Sequence, residues 1–414
     1  MQYVTIEKLR KIIVEELSQY DGAEPILLNI ESEMLQKIFF TSNGQHIYPI
    51  LDPILSKVDF SNISFDGFDA YEYDFSNLNG VKINPQTIKN KNLELSTLAG
   101  VEFIGSFDDV KIEGANFTGS KGAKINPQTI KEKNITGIIA SGVEFIGSFD
   151  NVLINSINFK GSFGAKIDPQ TIFNKVLICV NLADVEFVGD FSDVLLSEVI
   201  FDGSKGAVID PSILRDKKLG KSTFGNVQFC GKFDEVSVSG SNFKGSFGAK
   251  IDPQKIFRKN FYDVIAEDVT FGYYTDKEFV IGGCFDLVGI TGTSFKGSIG
   301  AEIDPQLIYK QNLSNVVATD VEFIGSFDDV KIEGANFTGS KGAQINPQRI
   351  EKLNLKNIIA TDVEFIGSFE GTEIEGANFE GSNYQEIIEY EKSFRQKIKK
   401  QVYAKTYKDS FFDV

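Results

Sequence analysis

The residues that could carry acid–base, thiol or metal chemistry are few: His46, three cysteines and some recurring carboxylate pairs. His46 follows a turn-like stretch, Ser42-Asn43-Gly44-Gln45, and reads as a surface histidine with no base or nucleophile beside it. Cys179, Cys230 and Cys284 stand at three different phases of a sequence repeat, so they form no repeated bridge. Free thiols of this kind suit a reducing compartment and a cytoplasmic protein. The carboxylate pairs Asp108-Asp109, Asp234-Glu235 and Asp328-Asp329 recur with the repeat. They read as a surface stripe and not as one site, with a weak divalent-cation ladder as the alternative. Nucleophile elbow, phosphate loop, spaced Cys/His ligand set and dinucleotide fingerprint are all missing. The expectation is no catalytic residue, no cofactor, no metal and no enzyme.

What positions these residues is a period. Seven of the ten prolines, Pro85, Pro127, Pro169, Pro211, Pro253, Pro305 and Pro347, fall 42 residues apart, except that Pro253 to Pro305 spans 52. A fixed period of this size means stacked copies of one small element. The chain's 414 residues therefore do not imply two or three separate cores, because a stacked array lengthens without splitting. The composition is globular, 42% hydrophobic with 37 phenylalanines, 38 glycines and no tryptophan. The N-terminal MQYVTIEKLRKIIVEEL has charges among its apolar residues and is not expected to be a signal peptide. No apolar run reaches the roughly 18 residues needed to span a bilayer.

One repeat reads VEFIGSFDDVKIEGANFTGSKGAKINPQTIKEKNITGIIASG, residues 101–142. Apolar residues recur every five positions, as in Ile125, Ile130, Ile135, Ala140 and Phe145. Several sit in a small-polar-apolar-x-Gly frame, such as Ala115-Asn116-Phe117-Thr118-Gly119, Ala335-Asn336-Phe337-Thr338-Gly339 and Ala377-Asn378-Phe379-Glu380-Gly381. Period five matches neither a helix nor a plain strand. It fits a square coil with one central side chain per side pointing inward and glycine relieving the corner. On these frames residues 58–383 resemble the pentapeptide-repeat family. That resemblance implies an all-β solenoid, a right-handed quadrilateral β-helix.

A second pattern departs from the family. Asn126-Pro127-Gln128 recurs as Asp168-Pro169-Gln170, Asp252-Pro253-Gln254 and Asp304-Pro305-Gln306, and Asx-Pro is a helix-start signal. The expectation is two coils of about twenty residues per repeat, with one side of every second coil a single helical turn or tight corner. A 42-residue strand–helix element of leucine-rich type is the rival. About fifteen coils at the spacing of neighbouring strands would give a rod on the order of 70 Å. Residues 1–57 are expected to form an N-terminal helical cap, with Ile6, Leu9, Ile13 and Leu17 on one helical face. Residues 384–414 form a C-terminal helix and tail, its face carrying Ile387, Phe394, Ile398 and Val402. That face serves as a cap or, as the resemblance implies, joins two copies.

The net charge of -16 is unevenly placed. Residues 101–142 are neutral, whereas residues 363–383 hold five glutamates and no base. Asp108, Asp150, Asp234, Asp286, Asp328 and Glu370 form an acidic edge, and Lys133, Lys175, Lys217 and Lys259 a basic one. Two further positions vary together: Phe163 with Phe173, Phe247 with Phe257, Ile299 with Tyr309, and charge with charge in the other repeats. The inference is that the paired positions touch and that the apolar ones meet a partner. The ten-residue insert near 272–281, with Tyr273, Tyr274 and Phe279, reads as a loop leaving a rigid frame. These features point to a non-enzymatic protein-binding scaffold with an unidentified partner, no direct nucleic-acid binding and no membrane. The alternative comes from the resemblance: some members of that family mimic duplex DNA, bind DNA gyrase or topoisomerase IV, and confer quinolone resistance.

Overall fold

The computed structural model describes residues 26–27, 58–61, 64–76 and 78–409. The expected N-terminal helix and His46 lie outside the described residues. The chain is a β-solenoid of about 14 turns, close to the number expected from the repeat length. By contact it divides into two compact bodies, Met1–Ile209 with Ile213–Asp216 and Gly225–Val227, and Asp210–Ser212 with Lys217–Phe224 and Gln228–Val414. The described residues of each are built from the same stacked four-sided coils.

Within 101–142 the first coil turns Phe103, Phe107, Ile112 and Phe117 inward, and the second Ile125, Ile130, Ile135 and Ala140, all 5% exposed or less. Steps of five separate most of these side centres, but Phe103 to Phe107 is a step of four and Phe117 to Ile125 one of eight. The coils are therefore unequal. Bridges advance 19 residues from Thr97 to Asn116 and 23 from Asn116 to Ile139, where two near-equal coils were expected. The longer coil holds both the loop at Lys121-Gly122 and the proline corner, and these absorb the extra residues.

Short parallel strands make one side of each coil. Lys82–Ile83 pairs with Glu102–Phe103, and Lys124–Ile125 with Glu144–Phe145. The pleat sends Glu102 out and Phe103 in, and the Phe103 amide donates to the Lys121 carbonyl of the next coil at 2.8 Å. Phe103, Phe107 and Phe117 meet at centroid distances of 5.0, 5.8 and 5.9 Å in tilted arrangements. The same triad recurs as Phe145, Phe149 and Phe159, and as Phe323, Phe327 and Phe337. A wide phenylalanine layer thus alternates with a narrower aliphatic one in filling the interior.

The proline corner is a turn, and its helical part is minimal. The Asn126 side-chain oxygen accepts the Gln128 amide at 3.0 Å, and the Thr129 amide donates to the Asn126 carbonyl at 3.0 Å. A single 3-10 turn, Lys131–Lys133, follows, and its middle residue Glu132 is left-handed at φ 56. The Asx-Pro signal read as a helix start is an Asx turn here, because only three residues remain before the next side must begin. Gln128 has a separate task. Its Nε2 donates to the carbonyls of Ser148 (3.1 Å) and Asp150 (2.7 Å) one coil on. Gln86, Gln170 and Gln348 make the equivalent pair of bonds. Lys133, placed on a basic edge from sequence, instead donates to Gln128 Oε1 at 2.8 Å and is half-buried. Gln128→Ala should lower stability by about 1–3 kcal/mol, two part-exposed hydrogen bonds at roughly 0.5–1.5 each, read as a shift in urea midpoint.

The last coil ends in a side-chain mimic of a strand. Asn383 Oδ1 accepts the Phe365 amide at 2.8 Å, and Asn383 Nδ2 donates to the Phe365 carbonyl at 2.9 Å. Both backbone groups of that sheet edge are satisfied without another strand. Tyr384 stacks on Phe379 at 4.1 Å and stands edge-on to Phe369 at 4.7 Å. The helix Tyr384–Asp409 then begins, and its Glu391 accepts the Phe369 amide at 3.2 Å.

Candidate functional site

The insert is a β-hairpin. Its first strand, Thr270–Tyr274, grows out of the solenoid strand that pairs with Lys250–Ile251. It returns antiparallel as Phe279–Ile281, with Gly272, Tyr273 and Tyr274 opposite Ile281, Val280 and Phe279. Aromatic and β-branched residues favour this pairing. Thr275 closes the tip: its amide donates to the Glu278 carbonyl at 2.9 Å, and its Oγ1 accepts the Glu278 amide at 3.0 Å.

The hairpin leans back on an earlier coil. The Tyr274 and Phe279 rings meet edge-on at 4.8 Å and are half-buried. Lys232 Nζ lies 4.7 Å over the Tyr274 ring and Lys250 Nζ 5.6 Å over the Phe279 ring. Between hairpin and coil is a cleft of about 460 Å³ lined in part by Cys230, Lys232, Lys250, Tyr274, Asp276 and Lys277. Burial, with Asp210 adding, pushes the Cys230 thiol up, so it is poorly suited to act as a thiolate nucleophile. Burial also raises the Tyr274 phenol, with Asp234 and Asp210 adding. Of the three aromatics expected at a recognition loop, two are spent on anchoring. Tyr273 remains outward, 48% exposed, as does Ile281.

The six residues of the paired columns, Phe163, Phe173, Phe247, Phe257, Ile299 and Tyr309, are each 39–57% exposed. They do not form contacting pairs. Phe163 bridges to Glu144 on the strand-bearing side, whereas the Phe173 amide bonds to the Val152 carbonyl at the proline-corner end. Among the described residues no ring contact joins Phe163 to Phe173 or Phe247 to Phe257. The expected touch is therefore corrected: one position lies on the strand-bearing side and the other at the proline-corner end.

Sequence reasoning passed over the outward aliphatics that follow the core phenylalanine. Ile104, Ile146, Val188, Ile324 and Ile366 are half or more exposed. The signal was present, since a pleat that buries Phe103 must expose Ile104. Around them the charges largely cancel. Lys124–Glu144 and Lys166–Glu186 pair at 3.0 Å, and Lys131–Asp109 and Arg215–Asp193 at 3.2 Å.

On the C-terminal helix, Ile387 is half-buried, while Tyr390, Phe394 and Ile398 are 69%, 51% and 43% exposed. The cap is made by Asn383, Tyr384 and Glu391. The Val402 side chain lies outside the described residues. Among the described residues, no cluster of three His, Cys, Asp or Glu could hold a metal, and no helix is long and apolar enough to cross a membrane.

No protein-family model and no curated protein matches this chain. Among solved structures, it is 9% identical to HetL, a pentapeptide repeat protein involved in heterocyst differentiation regulation from the cyanobacterium Nostoc sp. strain PCC 7120. That match covers 77% of this chain and 90% of HetL, with a TM-score of 0.16. A trypsin-treated variant of QnrB1, a plasmid-mediated fluoroquinolone resistance protein, is 13% identical over 72% of this chain and 95% of that one, with a TM-score of 0.13. At these scores neither match carries an argument about activity or partner.

Proposed function

We propose that this chain, a β-solenoid of pentapeptide-repeat type, is a non-enzymatic scaffold that binds a protein partner. The contact elements are the hairpin, on which the anchoring rings of Tyr274 and Phe279 hold Tyr273 outward, and the exposed apolar positions Phe163, Phe173, Phe247, Phe257, Ile299 and Tyr309. The hairpin carries the reading. It is the one departure from the 42-residue period, and its stem is anchored so that Tyr273 and Ile281 are held outward at fixed positions. An ordered aromatic at a protein surface suits an interface because little entropy is lost on binding. Deleting Tyr273–Gly282 joins Gly272 to Gly283 and restores the frame of the other repeats, Phe-x-Gly-x-Phe. The shortened protein should fold and lose at least tenfold in affinity for proteins captured by the full chain from its native cell. Equal capture by both would remove the hairpin from the interface.

A duplex-DNA mimic that engages a type II topoisomerase is the weaker reading. Mimicry needs anions at phosphate-like density, whereas three acids on the strand-bearing side, Glu102, Glu144 and Glu186, are matched by Lys82, Lys124 and Lys166. Purified protein at micromolar concentration should leave gyrase supercoiling unchanged; dose-dependent inhibition would reverse the order of the two readings.

The helix stripe supports self-association as well. Tyr390, Phe394 and Ile398 are exposed beyond the cap, and the helix is acidic early and basic late, so two antiparallel copies would match opposite charges. Sedimentation should show a dimer that Phe394→Glu with Ile398→Glu converts to monomer. A wild-type monomer at tens of micromolar would exclude this role.

A further inference from the structure

At the corner after the proline turn, three of the seven repeats, all in the N-terminal body, carry an outward cation paired with an acid one coil earlier. Lys89–Asp69 is at 2.8 Å, and Lys131–Asp109 and Arg215–Asp193 at 3.2 Å. In the C-terminal body this arrangement is replaced over three successive coils by Phe257, Leu287 and Tyr309. The Gly289 amide donates to the Lys259 carbonyl at 2.9 Å and the Tyr309 amide to the Val288 carbonyl at 3.1 Å, which stacks the three coils directly. Leu287 stands where Asp109 and Asp329 stand in other repeats and is 63% exposed between the two rings.

Two cations flank this ridge. The Arg258 guanidinium lies 4.9 Å from the Phe257 ring centre and Lys310 Nζ 5.1 Å from that of Tyr309. Both residues sit on left-handed corners, at φ 53 and φ 55, and are exposed. Among the described residues neither has a carboxylate within ion-pair distance, although the chain carries 58 acids to 42 bases. Beside the ridge, Tyr262 lies across Gly289, where a Cβ would collide with its ring. A notch of about 340 Å³ opens there between Tyr262, Thr291, Tyr309, Lys310 and Asn312, with Asp263 on its wall.

We infer that the Phe257–Leu287–Tyr309 ridge and its notch dock a short acidic peptide segment of a protein partner, one that carries an aromatic or branched aliphatic side chain. The apolar side chain would fill the notch and cover Leu287, and its carboxylates would meet Arg258 and Lys310. This deepens the scaffold reading and rests on it, but it uses no hairpin residue, so the two can fail separately. A nucleic acid is disfavoured, since a continuous phosphate chain would have to pass Glu235, Asp329 and Glu351 on the neighbouring corners, whereas a short peptide places its carboxylates only at Arg258 and Lys310.

The test is selection of a random phage-displayed peptide library on the immobilised full chain, with counter-selection on the triple variant Arg258→Ser, Leu287→Ser, Lys310→Ser. All three positions are exposed, and unchanged thermal unfolding of the variant checks its fold. The expected peptides combine Asp or Glu with an apolar residue and bind the variant at least tenfold more weakly. Absence of enrichment, peptides without acids, or equal affinity for the variant would overturn the proposal. So would oligothymidylate binding or self-association that the same variant abolishes, since either assigns the ridge to another ligand.

Discussion

Phe159→Ala should destabilise its part of the solenoid by about 3–5 kcal/mol, the usual cost of removing a buried aromatic ring and leaving a cavity. Phe159 is fully buried, with Phe145 at 5.5 Å and Phe149 at 5.8 Å. The layers above and below are aliphatic and held by the coil hydrogen bonds, so neither can collapse into the space. Four residues on, Phe163→Ala should change stability by less than about 0.5 kcal/mol, as for other exposed positions. Native-state hydrogen exchange at the neighbouring amides reads both. Equal losses would mean that the inward and outward assignments are wrong.

The second large effect separates two left-handed positions. Gly122 has φ 70, and a Cβ there would lie 2.6 Å from the Phe103 carbonyl oxygen, which is backbone and cannot swing away. Gly122→Ala should therefore cost about 2–3 kcal/mol, from left-handed strain and displacement of the preceding coil. Glu132 also sits at φ 56. Glu132→Gly relieves its strain but frees the unfolded chain, so the net change should stay within about 0.5 kcal/mol. Chemical denaturation of the two variants side by side decides it; a Gly122→Ala protein as stable as the parent would remove the close approach.

Much of the architecture was legible because it repeats. The inward Phe103, Phe117, Ile125 and Ile135 were set by spacing alone, and the corners by glycine. Features that depend on register were not. Gln128 could be seen to be too large for an ordinary coil, but its two acceptors lie on residues 148 and 150, which only stacking brings near. Asn383 ends the sheet by imitating a strand, and nothing local marks an asparagine for that task. Leu287 was within reach of the sequence, because Asp286 beside it already aligned with Asp108. Subtracting ten residues aligns it with the acidic corner positions, where a leucine stands out. The hairpin was legible as an insertion, yet the split between anchoring rings and the outward Tyr273 follows from where Lys232 and Lys250 stand, on other coils.

Hydrogen–deuterium exchange of the full chain, alone and with a partner captured from its native cell, addresses the binding account most directly. Protection is predicted in the hairpin, 270–282, and along the corner ridge at 257–262, 287–291 and 309–312, while the paired Lys–Glu surface at 82–102 and 124–144 stays unchanged. Protection confined to that charged surface, with hairpin and ridge exchanging as in the free protein, would contradict it.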